Sequence, residues 1–150
     1  MSTPPAPAAP LGFLINELRT ALRAAYEEAL GPLQLTIPQV GALSVLARSP
    51  GASVAQLAQW KAVTPQSMAG HVAPLEAAGL VDRRHTAGRG HVWELWLTPA
   101  GTDALRRGVA AMCAVEERLW EGIVPEDRAR FRDLLQRHMA PLQAARGSQI

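Results

Sequence analysis

The fold is decided by the stretch Ser53-Val-Ala-Gln-Leu-Ala-Gln-Trp-Lys-Ala-Val-Thr-Pro-Gln-Ser-Met68. Ser53 and Gln56 have the spacing of a capping box, in which the serine side chain accepts from the backbone of Gln56 and the glutamine side chain reaches back. A helix is therefore expected to begin directly after Ser53. Thr64-Pro65 combines a helix cap with a proline in the first turn, which predicts the start of a second helix. The stretch predicts two short helices joined by a tight turn.

Helical patterns extend on both sides of this stretch. Upstream, apolar residues recur at helical spacing over residues 11–30, and Gly31-Pro32 supplies a stop. Thr36 is then placed to cap a further helix. Downstream, Pro99 and Pro125 each stand at the start of a long segment that carries an apolar stripe. We therefore expect helices before and after the central pair.

A β-hairpin is predicted between these helices. Val81–His85 and His91–Thr98 have the pattern of strands, and the glycine-bearing segment Thr86–Gly90 connects them. Basic residues fall within nine positions of this hairpin, where Asp82 alone opposes them, although the whole chain has a net charge of only +2. A run of charge is usually a solvated surface, but its place at a hairpin tip favours contact with nucleic acid. The basic residues are Arg83, Arg84, His85, Arg89 and His91.

The order helix, helix, short turn, helix, hairpin predicts a mainly α fold with a small β-hairpin wing. We assign residues 1–10 to a flexible tail and residues 11–150 to a single domain. Residues 33–98 form the predicted winged helix-turn-helix. The long helices over residues 11–30 and 99–145 carry apolar stripes with no obvious local partner, and a second copy of the chain is the economical way to bury them. They form the predicted dimerisation region.

This arrangement suits the reading of double-stranded DNA, because an α-helix fits the major groove and its first turns reach the base edges. Gln66 can pair with adenine, and the two glycines that flank Arg89 make it the best single wing contact. Taken one at a time, the polar residues of the helix are explained equally well as solvated surface. The candidate DNA contacts are Ser53, Thr64, Pro65, Gln66, Ser67, His71, Arg83, Arg84, Arg89 and His91.

Five segments together resemble the MarR family, and the likeness covers the chain after Pro10. The resemblance implies an obligate dimer joined through the first and the last two helices. It also implies recognition of a near-palindromic operator, and release of the DNA by a small aromatic effector. The effector-binding residues are not identified. The segments are Leu35-Thr-Ile-Pro-Gln39, Ser53-Val-Ala-Gln-Leu-Ala58, Thr64-Pro-Gln-Ser-Met68, Leu75-Glu-Ala-Ala-Gly-Leu-Val-Asp-Arg-Arg84 and Leu97-Thr-Pro-Ala-Gly101.

The chain departs from the family pattern at two positions. Gly70 stands where the family usually has a basic residue, and Ala87 stands where it usually has an acidic residue two positions before the wing arginine. Pro74 can bend the recognition helix, or Gly70 can relieve the strain locally. These departures leave open an alternative, a winged-helix dimer with weakened DNA binding that acts as a ligand- or protein-binding module.

Other functional classes find little support. The four histidines lack metal-ligand spacing, and no recognised catalytic or nucleotide-binding motif is present. We therefore expect no enzyme activity, no metal and no cofactor. Polar residues and prolines interrupt the longest uncharged run, which argues against a membrane span. One cysteine excludes an intrachain disulfide and fits a cytoplasmic protein.

Cys113 and the tryptophans admit two readings each. Cys113 could be a redox switch, but a packed thiol is favoured because cysteine is among the most often buried residues. The tryptophans could line an effector pocket, although packing in the core or in a dimer interface is favoured. The tryptophans are Trp60, Trp93, Trp96 and Trp120.

Overall fold

The computed structural model describes residues 9–85 and 93–147. These residues form six α-helices, one short 3₁₀ helix and a two-stranded antiparallel hairpin, which confirms the predicted mainly helical fold. The predicted loop over residues 86–90 and the predicted start of the second strand at His91 lie outside the described residues. The elements are α1 (Leu11–Leu30), the 3₁₀ helix (Gly31–Leu33), α2 (Ile37–Arg48), α3 (Val54–Trp60), α4 (Pro65–Ala77), β1 (Val81–His85), β2 (Trp93–Leu97), α5 (Pro99–Leu119) and α6 (Pro125–Gly147).

Side-chain caps begin the three central helices, as the sequence predicts. The backbone N–H of Ser53 donates to Oε1 of Gln56 over 2.9 Å, and the N–H of Gln56 donates to Oγ of Ser53 over 3.2 Å. Thr36 forms a second capping box at the start of α2. At the start of α4, Oγ1 of Thr64 accepts from the N–H of Ser67 over 3.1 Å. The caps fix where the helices begin, because each satisfies an N–H that the helix itself leaves free.

One apolar core holds the helix-turn-helix together. Its members come from α2, α3, α4, the two strands and the segments beside them, and each fully buried leucine contributes about 1.5–3 kcal/mol to folding. α3 and α4 are therefore fixed to each other and to α2. The largest fully buried side chains are Leu30, Leu43, Leu46, Leu57, Met68, Val72, Leu75 and Leu95.

The hairpin is anchored to the core at its base. β1 and β2 pair with Val81 opposite Leu97, and the pairing continues to the last residue of β1. Leu95 also exchanges backbone hydrogen bonds with the segment before α3. Its carbonyl accepts from the N–H of Gly51 over 3.0 Å, and its own N–H donates to the carbonyl of Ala52 over 3.0 Å. The base of the predicted wing is thus tied to the helix-turn-helix by three adjacent backbone segments.

Two glycines bring α5 close to the rest of the core. A Cβ at Gly101 would run into the carbonyl of Leu80, and a Cβ at Gly108 would lie 3.0 Å from a methyl group of Val40. Both glycines are buried. The described residues divide into two compact units, with the boundary between Val115 and Glu116 inside α5. The assignment of residues 11–150 to a single domain stays a prediction.

Residues 116–147 form a helical elbow with its own contacts. Arg128 donates to both carboxylate oxygens of Glu117, over 2.9 and 2.6 Å, and its guanidinium lies 5.6 Å from the ring centre of Trp120. Trp120 also meets Phe131 edge to face at 5.5 Å. These contacts join the end of α5 to the start of α6 across the turn. Bidentate arginine–carboxylate pairs of this kind give a definite geometry.

The favoured reading of Cys113 is wrong for a single chain, because its side chain is exposed. The residues of α5 that pack against the core are Ala104, Leu105, Ala111 and Met112. One further residue along the helix turns the side chain by about 100°, away from that face. The core reading also fails for two tryptophans, since Trp60 and Trp93 are exposed.

No single helix within the described ranges is both long and apolar enough to cross a membrane. The segments Leu11–Leu33 and Ile37–Arg48 meet the length and composition requirements only when taken together, and they are bent by 74° against each other.

Candidate nucleic-acid interface

α4 presents one face to the core and the opposite face to solvent. Met68, Val72 and Leu75 are buried. The residues on the opposite side are exposed, and only the first of them has a long polar side chain. The backbone of this helix can therefore approach a partner closely beyond its first turn. The residues of the outer face are Gln66, Gly70, Ala73 and Ala77.

The first turn of α4 gathers the polar candidates. Thr64, Pro65, Gln66 and Ser67 are all exposed, as a DNA-reading turn requires. Oγ of Ser67 lies 3.5 Å from Nε2 of His71, which is half-buried one turn later. The side-chain amide of Gln66 has the donor and acceptor needed to pair with adenine. The free N–H groups of the first turn suit a phosphate.

The turn before α4 adds a strained residue and a positive charge. Ala62 adopts a left-handed conformation with φ of 53°, which side chains rarely do. Lys61 is exposed, and its Nζ lies beside the backbone of Gly41 in α2. The sequence patterns did not single out Lys61 as a DNA contact. Its place in the three-residue turn was the signal that could have identified it.

Arg83 on β1 is bound to α4. Its Nε donates to Oε1 of Glu76 over 2.6 Å, and its Nη2 donates to Oε2 over 2.9 Å. This hydrogen bonding, together with the charge of Glu76, raises the pKa of Arg83 above its ordinary value, although burial acts in the opposite direction. The sequence analysis counted only Asp82 as a counter-charge, because Glu76 belongs to a different element. The structure adds a second one.

The other side chains at the base of the hairpin are less tightly held. Arg84 donates to Asp82 over 3.3 Å, and its guanidinium lies 5.2 Å from the ring centre of Trp96. His85 meets Trp93 edge to face at 5.3 Å. These residues, apart from the half-buried Trp96, are exposed.

The remaining candidates are placed differently. Ser53 is half-buried, and its hydroxyl already caps α3. Arg89 and His91 lie outside the described residues. The structure therefore brings Thr64, Pro65, Gln66, Ser67 and His71 together on one turn, with Arg83 and Arg84 on the adjacent strand. Within residues 9–85 and 93–147, no three His, Cys, Asp or Glu side chains form a group that could hold a metal ion.

Comparisons with known proteins agree with this architecture. The sequence profile of the MarR family matches residues 33–90, the span from the end of the 3₁₀ helix into the hairpin. The HTH-type transcriptional repressor Rv2887 of Mycobacterium tuberculosis is 34% identical over 129 residues, which cover 86% of this chain and 93% of that protein.

Solved structures of that MarR family protein match the fold. Its complex with DNA has a TM-score of 0.75 at 33% identity, and the match covers 86% of this chain and 97% of that one. Its complex with salicylic acid has a TM-score of 0.71 at 34% identity, with coverage of 87% and 97%. The chain therefore belongs to the MarR family of winged helix-turn-helix transcriptional regulators.

Proposed function

We propose that this protein is a dimeric repressor that occupies a near-palindromic DNA operator and leaves it when a small aromatic effector binds. The observation that carries the proposal is the first turn of α4. The buried side of the helix fixes it to the core, while the capped, polar N-terminal turn is exposed. The DNA complex of Rv2887 supports the same partner for this chain.

The contacts divide by chemistry. Gln66 is proposed to read a base edge in the major groove, with Ser67 and His71 beside it. The N-terminus of α4 and the side chains of Lys61 and Arg84 are proposed to bind phosphates, which position the protein without reading sequence. Arg89 and His91 are proposed as the contacts of the wing.

Dimerisation is proposed because one chain leaves large apolar side chains uncovered. Leu11, Phe13, Leu14 and Ile15 on α1 are between 48% and 70% exposed. Phe131, Leu135 and further apolar residues of α6 are also exposed. A second copy that covers these surfaces would place two α4 helices in successive major grooves, about 34–36 Å apart.

The effector is proposed to be a small aromatic acid, since Rv2887 has been solved with salicylic acid. Titration of salicylate into the protein–DNA complex is expected to lower the DNA affinity. Cyclohexanecarboxylate keeps the carboxylate but lacks the aromatic ring, so it serves as the control. Equal effects of the two acids, or no effect of either, would contradict an aromatic effector site.

A salt titration against operator DNA tests the DNA partner. DNA selected in vitro with the purified protein supplies the operator. The logarithm of the affinity is expected to fall with the logarithm of the salt concentration, by about 0.9 for each phosphate neutralised. A flat dependence would contradict the proposal and would favour the alternative of a ligand- or protein-binding module.

A matched pair of glutamine variants tests the reading helix. Replacing Gln66 with alanine is expected to cost about 1–3 kcal/mol of discrimination at one base pair of each half-site. Gln136 is exposed on α6 and serves as the control. Gln136→Ala is expected to leave base preference unchanged. Equal behaviour of the two variants would remove Gln66 from the reading role.

The proposal carries two simpler consequences. A repressor that acts by occupying its operator needs no catalytic group, so we propose that the protein is not an enzyme. It must also reach the DNA, so we propose a cytoplasmic location.

A further inference from the structure

The ion pair between α4 and β1 differs from the other ion pairs in the described part of the chain. Its two side chains, Arg83 and Glu76, are 37% and 23% exposed, so both are more than half covered. Arg23 and Glu27 on α1 are 66% and 53% exposed. Exposed pairs contribute little, whereas a covered bidentate pair has a definite geometry and is costly to break by halves. The covered pair sits where the reading helix meets the wing.

The pair bridges two elements that the chain joins only through a short turn. Glu76 lies in the last turn of α4, and Arg83 is the central residue of β1, opposite Leu95. Since β1 leads into the predicted wing, an angular change between α4 and β1 would move the wing relative to the reading helix. The pair resists that change.

We propose that Arg83 is a positioning residue, which holds the wing strand on α4 through Glu76 and does not itself bind a phosphate. The inference rests on the proposed function, because it concerns how the DNA interface is assembled. It revises the earlier expectation that Arg83 and Arg84 are equivalent DNA contacts.

The geometry favours this role. Two donors of the Arg83 guanidinium are already committed to the carboxylate of Glu76. A move toward a phosphate would leave that half-covered carboxylate unpaired beside the DNA, and an unpaired, partly desolvated charge is costly. Arg84 has a single hydrogen bond of 3.3 Å and is 56% exposed, so it can turn to a phosphate at little cost.

The sign of one effect separates positioning from direct contact. Removing a negative charge close to DNA should strengthen binding by plain electrostatics. If Glu76 holds Arg83 in place, Glu76→Ala instead weakens binding, because the wing strand loses its fixed orientation. Glu27→Ala removes the same charge from an exposed pair on α1 and serves as the control.

The experiment compares operator affinities across a salt titration for wild type, Glu76→Ala, Glu27→Ala, Arg83→Gln, Arg83→Lys and Arg84→Gln. Circular dichroism confirms that each variant is folded. Glu76→Ala and Arg83→Gln are each expected to weaken binding by at least about threefold, and their combination by no more than either alone. Arg83→Lys keeps the charge but loses the bidentate fork, so it is expected to resemble Arg83→Gln.

The salt dependence and the footprint give independent readouts. Arg84→Gln is expected to lower the slope by about 0.9, whereas Arg83→Gln leaves the slope unchanged. Hydroxyl-radical footprints of Glu76→Ala are expected to lose the flanking protection and keep the protection at the major-groove contacts.

Three outcomes would overturn the inference. They are tighter binding by Glu76→Ala, full affinity of Arg83→Lys, and a slope reduced equally by Arg83→Gln and Arg84→Gln. Any of these with a steep wild-type salt dependence rejects the positioning role and leaves the proposed function intact. A flat wild-type salt dependence rejects both.

Discussion

The helix-turn-helix and the long helices of this protein have similar apolar patterns but very different burial. In the first region, Leu43, Leu57 and Leu75 are at most 1% exposed. In the second region, Leu14 on α1 and Leu134 on α6 are 50% and 44% exposed. Both regions have apolar residues at helical spacing.

The comparison shows that a helical pattern identifies a face to be buried without saying what buries it. The helix-turn-helix completes its core within one chain. The long helices keep exposed apolar surface, which water disfavours and a partner can cover. The functional unit that we propose is therefore a pair of chains, in which each copy supplies a finished reading module.

Paired leucine variants test this contrast and are expected to give the largest effect. Leu57→Ala removes a fully buried side chain from the core and is expected to cost about 2–5 kcal/mol at any protein concentration. Leu14→Ala on α1 is expected to destabilise the protein only under conditions where the dimer forms. Urea unfolding at two protein concentrations measures both effects. Equal and concentration-independent losses would contradict the contrast.

A pair of glycine variants tests where α5 joins the finished core. Gly101→Ala places a methyl group against the carbonyl of Leu80, so α5 must shift, at a cost of about 1–3 kcal/mol. A Cβ at Gly70 meets no atom within 4 Å, and Gly70→Ala is expected to stabilise α4 by about 0.5–1 kcal/mol. Thermal unfolding measures both. A stable Gly101→Ala variant would show that this contact is not close.

A smaller effect is expected inside the helix-turn-helix, at the strained turn. Ala62→Gly relieves a left-handed alanine with φ of 53° and is expected to add about 1 kcal/mol of stability. Ala69 lies in the middle of α4, where glycine costs about 0.5–1 kcal/mol, so Ala69→Gly is the control with the opposite sign. Losses in both variants would mean that the turn carries no strain.

The smallest effect is expected in the elbow of the second region. The hydrogen bonds from Arg128 lower the pKa of Glu117, and the positive charges of Arg128 and Arg132 act in the same direction. A lowered folded-state pKa stabilises the fold above the unfolded value, near 4.5, and this contribution is lost as the pH falls through the folded value. Carboxyl titration by NMR is expected to show a higher Glu117 pKa in Arg128→Gln. An unchanged pKa would contradict the contact.

Much of the fold was predictable because local chemistry determines it. The caps at Ser53 and Thr64 act over three residues, and a sequence pattern captures such short-range bonds. The same holds for the ends of the helices and for β1. The first turn of α4 was predictable as a site for the same reason, since its residues are neighbours in sequence.

The features that sequence did not give depend on approach between distant elements. The bond between Arg83 and Glu76 requires α4 and β1 to be folded against each other, and no local spacing indicates it. The exposure of Cys113 follows from which side of α5 meets the core. Burial preference by residue type could not supply that orientation.

Sedimentation equilibrium of the purified protein, alone and with operator DNA, tests the central claim most directly. We expect the mass of two chains in both cases, with one pair of chains on each operator. A single-chain mass over the whole concentration range, or one chain bound per operator, would contradict the account.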